Sequence, residues 1–242
     1  MTLRRFFVER IPEGCSLLEL PAAQSAHARV LRLPQGCEVE LFDPVGRTAR
    51  AIIEGLEALT LCRVLSTSPA PTHARALNLI LTLPKGAKVD GIVRSATELG
   101  VASIHFAVGA HSVSRPEDRR AAQKMERLIR IAREASRQSE SNQVPDLIGP
   151  APLLEVATRV GPEDTCWAFV ARTAKTPAIE PIHSNIVWVA VGPEGGFCAS
   201  EVAKLCEMGF QTQSLGDTVL RVETAATAGL VLALDRMRSK PA

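Results

Sequence analysis

Asp217, Thr218, Arg221, Glu223 and Thr224 form a compact polar set within SLGDTVLRVETAA (Ser214–Ala226). Such side chains can hold charge and donate hydrogen bonds to a bound molecule. A second stretch, VWVAVGPEGGF (Val187–Phe197), carries almost no side-chain bulk, with Gly192, Gly195 and Gly196 around Pro193 and Glu194. Glycines allow close backbone approach to a ligand, and amides at a helix start attract carboxylates and other anions. One loop is suited to wrapping a small molecule with backbone, the other to acting on something beside it.

Several chemistries are excluded by what is missing. No GK[ST] follows GPEGG, so it is not a phosphate-cradling P-loop, and it is not GxGxxG with a downstream ribose acid. No GxSxG elbow supports a hydrolase. His27, His73, His105, His111 and His183 lack metal-ligand spacing, so no metal is expected. Cys15, Cys37, Cys62, Cys166, Cys198 and Cys206 contain no CxxC pair, which points to reduced thiols rather than a disulfide framework or zinc site. Cys198 reads either as a reactive thiol or as small apolar filler. Asp146, Asp164 and Glu180 read as surface acids in loops.

Both loops must be carried by strands and followed by helices. Each begins as an apolar, strand-like run, breaks at glycine and resumes with helix formers. They are separated by one short helix, Ser200–Met208, and so are expected side by side on the carboxyl edge of a parallel sheet, where open α/β folds bind ligands. Upstream, strand-like Leu77–Leu83, Ala102–Val108, Cys166–Ala171 and Ile186–Val191 alternate with helical patterns over Lys85–Leu99, residues 115–137 and Pro152–Val160. Glu223–Arg238 is the expected final helix. This alternation predicts a largely parallel sheet covered on both faces. The first seventy residues differ. Val39–Phe42, Arg47–Ile53 and Ala58–Leu65 read as closely spaced strands, with a turn at Asp43-Pro44-Val45-Gly46 and an ambiguous His27–Leu33, suggesting a compact barrel. Ser66–Ala74, with two prolines, reads as a linker.

At 242 residues, with 46% hydrophobic and 22% charged residues, the chain has the make-up of a soluble globular protein with ample core. No apolar run is long enough to span a bilayer, and no signal-peptide stretch opens the chain, so a cytoplasmic protein without membrane partners is expected. The net charge of +2 does not itself imply nucleic acid. Residues 115–137, however, hold Arg115, Arg119, Arg120, Lys124, Arg127, Arg130, Arg133 and Arg137 against four acids. As a helix this segment would bury Met125, Leu128, Ile129, Ala132 and Ala135. Its basic outer face suits either phosphate tracking or simple solvation.

GPEGG with SLG…VLRVETAA, ATELGV (Ala96–Val101), RFFV (Arg5–Val8) and HARVLRLPQG (His27–Gly36) resembles the RsmE family of 16S ribosomal RNA methyltransferases, in the SPOUT (α/β-knot) superfamily. The resemblance spans nearly the whole chain. It implies a PUA-like β-barrel RNA-binding domain over 1–70 and a SPOUT domain with a C-terminal trefoil knot over 74–242. It also implies S-adenosyl-L-methionine as cofactor, a homodimer, and methylation of N3 of a uridine in the 16S rRNA of the 30S subunit.

The cofactor contacts it implies are Phe169, Val170, Ala171, Val191, Gly192, Glu194, Gly195, Gly196, Leu215, Gly216, Val219, Leu220, Thr224 and Ala225. Arg221 is the expected stabiliser of the uridine anion. Glu223 is expected to orient Arg221 or the last helix, and Thr224 to cap that helix. Arginine stays protonated, so Arg221 is not the base. Expected RNA contacts are Arg5, His27, Arg29, Arg32, Arg115, Arg137 and Gln138. The chain departs from the family pattern at Ser141, Thr218 and Gly109-Ala110-His111, where the family carries basic residues, so a same-fold enzyme with a shifted RNA substrate is an alternative. A non-catalytic rRNA-binding or assembly protein is a further one.

Overall fold

The computed structural model describes residues 3–14, 16–69, 75–84, 88–112, 118–139, 141, 143–171 and 182–238, with the side chains of 118–120 excluded. Two compact units emerge. The first comprises Met1–Thr72 together with Arg133–Val144, and the second His73–Ala132 with Pro145–Ala242.

In the first unit, β1 (Arg4–Phe7), β2 (Leu17–Glu19), α1 (Ala22–Val30), β3 (Glu38–Phe42), β4 (Thr48–Leu56) and β5 (Thr60–Ser68) build a five-stranded sheet ordered β1-β3-β4-β5-β2. Only β1 and β3 pair in parallel. Inward residues alternate along the strands, and Phe6, Val39, Leu41, Ala51 and Ile53 are fully buried with Ala28 of α1. The predicted Asp43–Gly46 turn forms: Gly46 has φ +88° and donates to Asp43 O, while the Asp43 carboxylate accepts from the Arg47 and Ile11 amides. The ambiguous His27–Leu33 resolves into a helix that starts earlier, behind Pro21, and ends at Val30. Part of the expected linker is strand instead, because β5 continues through Ser68 against Thr48 of β4.

The second unit runs β6 (Ala76–Thr82), α2 (Lys88–Glu98), β7 (Ser103–Val108), α3 (Asp118–Gln138), β8 (Asp146–Pro152), α4 (Leu153–Ala157), β9 (Thr165–Phe169), β10 (Ile186–Val191), α5 (Ala199–Glu207), β11 (Gln211–Gln213) and α6 (Val222–Arg238). Its six strands pair only in parallel, in the order β11-β9-β10-β6-β7-β8. The continuous apolar runs form the middle of this sheet, where β6 and β10 bury nearly every residue. Helix α2 buries Val89, Ile92, Val93 and Ala96 as its periodicity predicts, and stops at Gly100 in the left-handed conformation. Among the described residues no helix is long and apolar enough to cross a membrane.

Three expectations change here. Asp146 opens a strand rather than lying in a loop. Asp164 is not a lone surface acid, since it accepts from Trp188 Nε1 at 2.8 Å and from Gly161 N at 2.9 Å. The last six residues of α3 group with the first unit, where Arg133 stacks over the Phe7 ring at 4.4 Å and Arg137 meets His27.

Candidate active site

The carboxyl ends of β10, β9 and β11 lie next to one another, with β9 in the middle. The two chemistry-bearing loops are therefore not immediate neighbours. The short segment after β9 sits between their strands, pinned by Val170 N donating to Gln213 O at 2.9 Å. Together the three strand ends border a cleft of about 190 Å³ that is open to solvent on one side. Phe169–Ala171 form one wall, Val191–Gly196 a second, and Ser214–Gly216, Thr218–Leu220, Val222 and Ala225 the third.

Glycine is required at particular points of these walls. A Cβ on Gly192 would lie 3.0 Å from backbone atoms of Gly196 and Phe197, so the loop closes on itself only without a side chain there. A Cβ on Gly229 of α6 would lie 2.6 Å from the Phe169 ring, so that glycine lets the ring come close against the helix beside the cavity. Gly196 has φ +69° and its amide donates to Pro193 O at 2.8 Å, closing the turn. Gly216 has φ +119°.

The glycine loop is also fastened from outside. Lys88 Nζ reaches Glu194 Oε1 at 2.6 Å. Glu201 Oε2 accepts from Cys198 N at 2.8 Å, closing a capping box at the start of α5, and its Oε1 accepts from Ala110 N at 2.7 Å. His111 Nδ1 lies 3.1 Å from Gly196 O. None of these contacts is legible from the spacing of Gly109-Ala110-His111 in the chain.

Of the residues expected to hold a cofactor, all but Thr224 line the cavity. Thr224 is exposed on the third position of α6, which begins at Val222. It is therefore past the capping position, and Arg221 instead precedes the helix, its carbonyl accepting from Ala225 N at 2.8 Å. Pro193, Ser214, Thr218 and Val222 line the cavity without having been expected there. Arg221 is exposed beside the wall it follows. No ion pair joins it to Glu223 among the described residues, and Glu223 Oε2 is buried without a hydrogen bond. The expected Glu223–Arg221 orientation is thus not made in this conformation.

Around the first unit the expected RNA contacts separate by environment. Arg5 is 7% exposed, donating Nε to Glu40 at 2.5 Å and Nη1 to Ser141 O at 3.1 Å, and it lies over the Phe42 ring. That burial removes Arg5 from a nucleic-acid surface. Arg137 donates to His27 Nε2 at 2.8 Å and also binds Glu134. Burial, followed by the Arg137 charge, pushes the His27 pKa down and keeps its ring a neutral acceptor. Arg32, with φ +52°, and Gln138 are exposed, and exposed Arg29 bonds the Glu57 and Ala58 carbonyls. Arg115 lies outside the described residues. Burial lifts the Cys62 thiol to about 11 and the Cys166 thiol to about 12, so both are inert.

Residues 71–234 match the RNA methyltransferase domain family. The fold and its cavity thus define the chain as an RNA methyltransferase domain protein. A Neisseria gonorrhoeae ribosomal RNA small subunit methyltransferase E bound to S-adenosyl methionine superposes with a TM-score of 0.86 at 26% identity, over 95% of this chain and 96% of that one. A Legionella pneumophila protein in complex with S-adenosylmethionine gives the same score at 28% identity, over 97% and 98%. Ribosomal RNA small subunit methyltransferase E of Synechocystis is 31% identical over 84% of this chain and 67% of its own length. The Mycobacterium bovis protein of that name is 29% identical over 95% and 90%. The chain belongs to the ribosomal RNA small subunit methyltransferase E family.

Proposed function

We infer that this protein transfers a methyl group from S-adenosylmethionine to N3 of a uridine in 16S rRNA of the small subunit. The observation that carries the reading is the cavity itself. Its walls bring together the strand ends and both motif loops in a chain whose superposable relatives bind S-adenosylmethionine. The walls fit such a group. The glycine turn presents backbone amides and carbonyls, Leu215, Val219, Leu220 and Phe169 present apolar surface for an adenine ring, and Glu194 presents a carboxylate. When bound, S-adenosylmethionine supplies a labile methyl on a sulfonium.

The residues around the cavity have two jobs. Those of the walls orient the methyl donor, with alignment as a principal source of rate. Arg221, exposed just before α6, would stabilise the negative charge that develops on the base as N3 loses its proton. Exposed Arg29, Arg32, Arg130 and Gln138 would contact RNA. The finer expectations belong to the same proposal: a PUA-like barrel in the first unit, an α/β-knot in the second, a homodimer, and a cytoplasmic setting. The mixed five-stranded sheet and the crossed strand order β11-β9-β10-β6 support the first two.

Arg221→Ala is expected to abolish transfer while leaving S-adenosylmethionine binding by calorimetry unchanged. Retained activity would remove Arg221 from the mechanism, and absence of cofactor binding by the unaltered protein would remove the whole reading. Thr218 in the cavity wall, where the family has arginine, favours a second reading with a shifted RNA substrate. Primer extension on small-subunit RNA from a deletion strain decides between them, because N3 methylation blocks base pairing. An unchanged stop in that strain would exclude the expected uridine.

A further inference from the structure

Gly109–Ser112, the loop after β7, is not part of the cavity wall, yet it is bonded to the glycine loop and to the helix start that follows it. The loop is a closed turn, with Ser112 N donating to Gly109 O and Gly109 N donating to Ser112 Oγ, both at 3.0 Å. Glu201 makes one junction. It is buried, 9% exposed, and uses both oxygens on backbone amides: Oε1 on Ala110 N at 2.7 Å, Oε2 on Cys198 N at 2.8 Å. Its charge is offset by those two amides and by the N-terminus of α5. Gly109 makes the approach possible, since a Cβ there would stand 2.7 Å from Glu201 Oε1.

His111 makes the other junction. Its Nδ1 lies 3.1 Å from Gly196 O, and a carbonyl only accepts, so Nδ1 carries the proton. The ring also covers Gly195, whose added Cβ would lie 3.2 Å from His111 Cβ, Cγ and Nδ1. Gly195 and Gly196 offer the cavity nothing but backbone. The Gly196 amide is held within the turn by Pro193 O, while from behind His111 holds the Gly196 carbonyl and Glu201 holds the Cys198 amide that ends the loop.

We propose that Glu201 and His111 are positioning residues. They fix the Gly195–Cys198 backbone in the conformation that binds S-adenosylmethionine, without touching the cofactor. This rests on the function proposed above. A latch of this kind acts on cofactor binding and not on the transfer step, so its signature is a rise in the KM for S-adenosylmethionine at unchanged kcat.

The decisive experiment compares the full-length protein with His111→Ala, Glu201→Gln, Gly195→Ala and the double variant His111→Ala/Gly195→Ala. Calorimetry and steady-state kinetics use S-adenosylmethionine as the varied ligand. His111→Ala, at an exposed side chain, is expected to weaken binding about five- to tenfold, the loss of one hydrogen bond, with Tm and kcat unchanged. Glu201→Gln keeps one acceptor oxygen for two amides and is expected to weaken binding. Gly195→Ala pushes on the His111 ring and Cβ and is expected to weaken binding alone but to cost less in the His111→Ala background, where the ring is gone and only the Cβ contact remains. Wild-type affinity in both His111→Ala and Glu201→Gln overturns the proposal, as do additive effects in the double variant or a fall in kcat at unchanged KM. If Glu201 variants do not fold, the His111 and Gly195 cycle decides alone. Unaltered protein that binds no S-adenosylmethionine overturns the functional reading and this one together. Binding by unaltered protein with indifferent variants overturns only the latch.

Discussion

An arginine in a short first strand ordinarily projects to solvent, but Arg5 is enclosed by Glu40, Ser141 O and the Phe42 ring. Removing it takes the guanidinium from Glu40 and leaves the Ser141 carbonyl with Ser136 Oγ as its donor. Arg5→Ala is accordingly expected to lower stability by about 3 kcal/mol, read from urea denaturation, and to leave the salt dependence of RNA binding unchanged. His105 offers a second test. Its ring is buried against Trp188, with Nε2 2.9 Å from Ser103 Oγ. Because Ser103 spends its proton on Asn78 Oδ1, His105 must donate through Nε2, and its Nδ1 is left buried and unbonded. Burial, followed by the Arg159 charge, pulls the His105 pKa down to about 4. A histidine depressed in this way adds its stability above its unfolded pKa and loses it as pH falls. The loss should therefore run from about pH 6.5 to pH 4 and reach about 3 kcal/mol. Urea midpoints across that window should be flatter in His105→Gln than in the unaltered protein.

At the scale of elements, the cavity depends on how closely α6 approaches β9. Glycine inside a helix costs about 1 kcal/mol relative to alanine, yet Gly229 stands in α6 because the Phe169 ring occupies the space of its Cβ. Gly229→Ala is expected to displace that ring and weaken S-adenosylmethionine binding by about tenfold or more despite its better helix propensity, as calorimetry would show. Both loops and their glycines were legible in the chain, because an apolar run ending at glycine is a local signal. So were β6, β10 and the buried face of α2. β8 and β11 were not. β8 has no buried residue and carries Gly149 and two prolines, while β11 is Gln-Thr-Gln, with no apolar residue to mark it and its place set by pairing with β9. Arg5 misled for a related reason, since its partner Glu40 becomes a neighbour only when β1 pairs with β3. The fastening of Gly196 by His111 and of Ala110 by Glu201 was equally invisible, the partners being 85 and 91 positions apart in the chain.

At the scale of the whole molecule, α3 is shared: Asp118–Ala132 counts with the parallel sheet and Arg133–Gln138 with the first unit. Its arginines are unequal. Arg137 is tied to Glu134 and His27, and Arg127 pairs with Asp90, whereas Arg130 is exposed. If α3 follows an RNA backbone, Arg130→Ala should lower the slope of log affinity against log salt by about one, and Arg137→Ala by less. The strand order has a further consequence for how the protein is made. The third cavity wall is Ser214–Ala225, and the helix against which Phe169 rests is α6, which follows β6 through β11 in the chain. A chain still emerging from the ribosome can lay down β6 through β10 and expose a complete glycine loop, yet it lacks the wall opposite. Cofactor capture thereby waits for Ser214–Gly229 to be made and folded, and a nascent chain that stops at the glycine loop lacks the surfaces to hold the methyl donor.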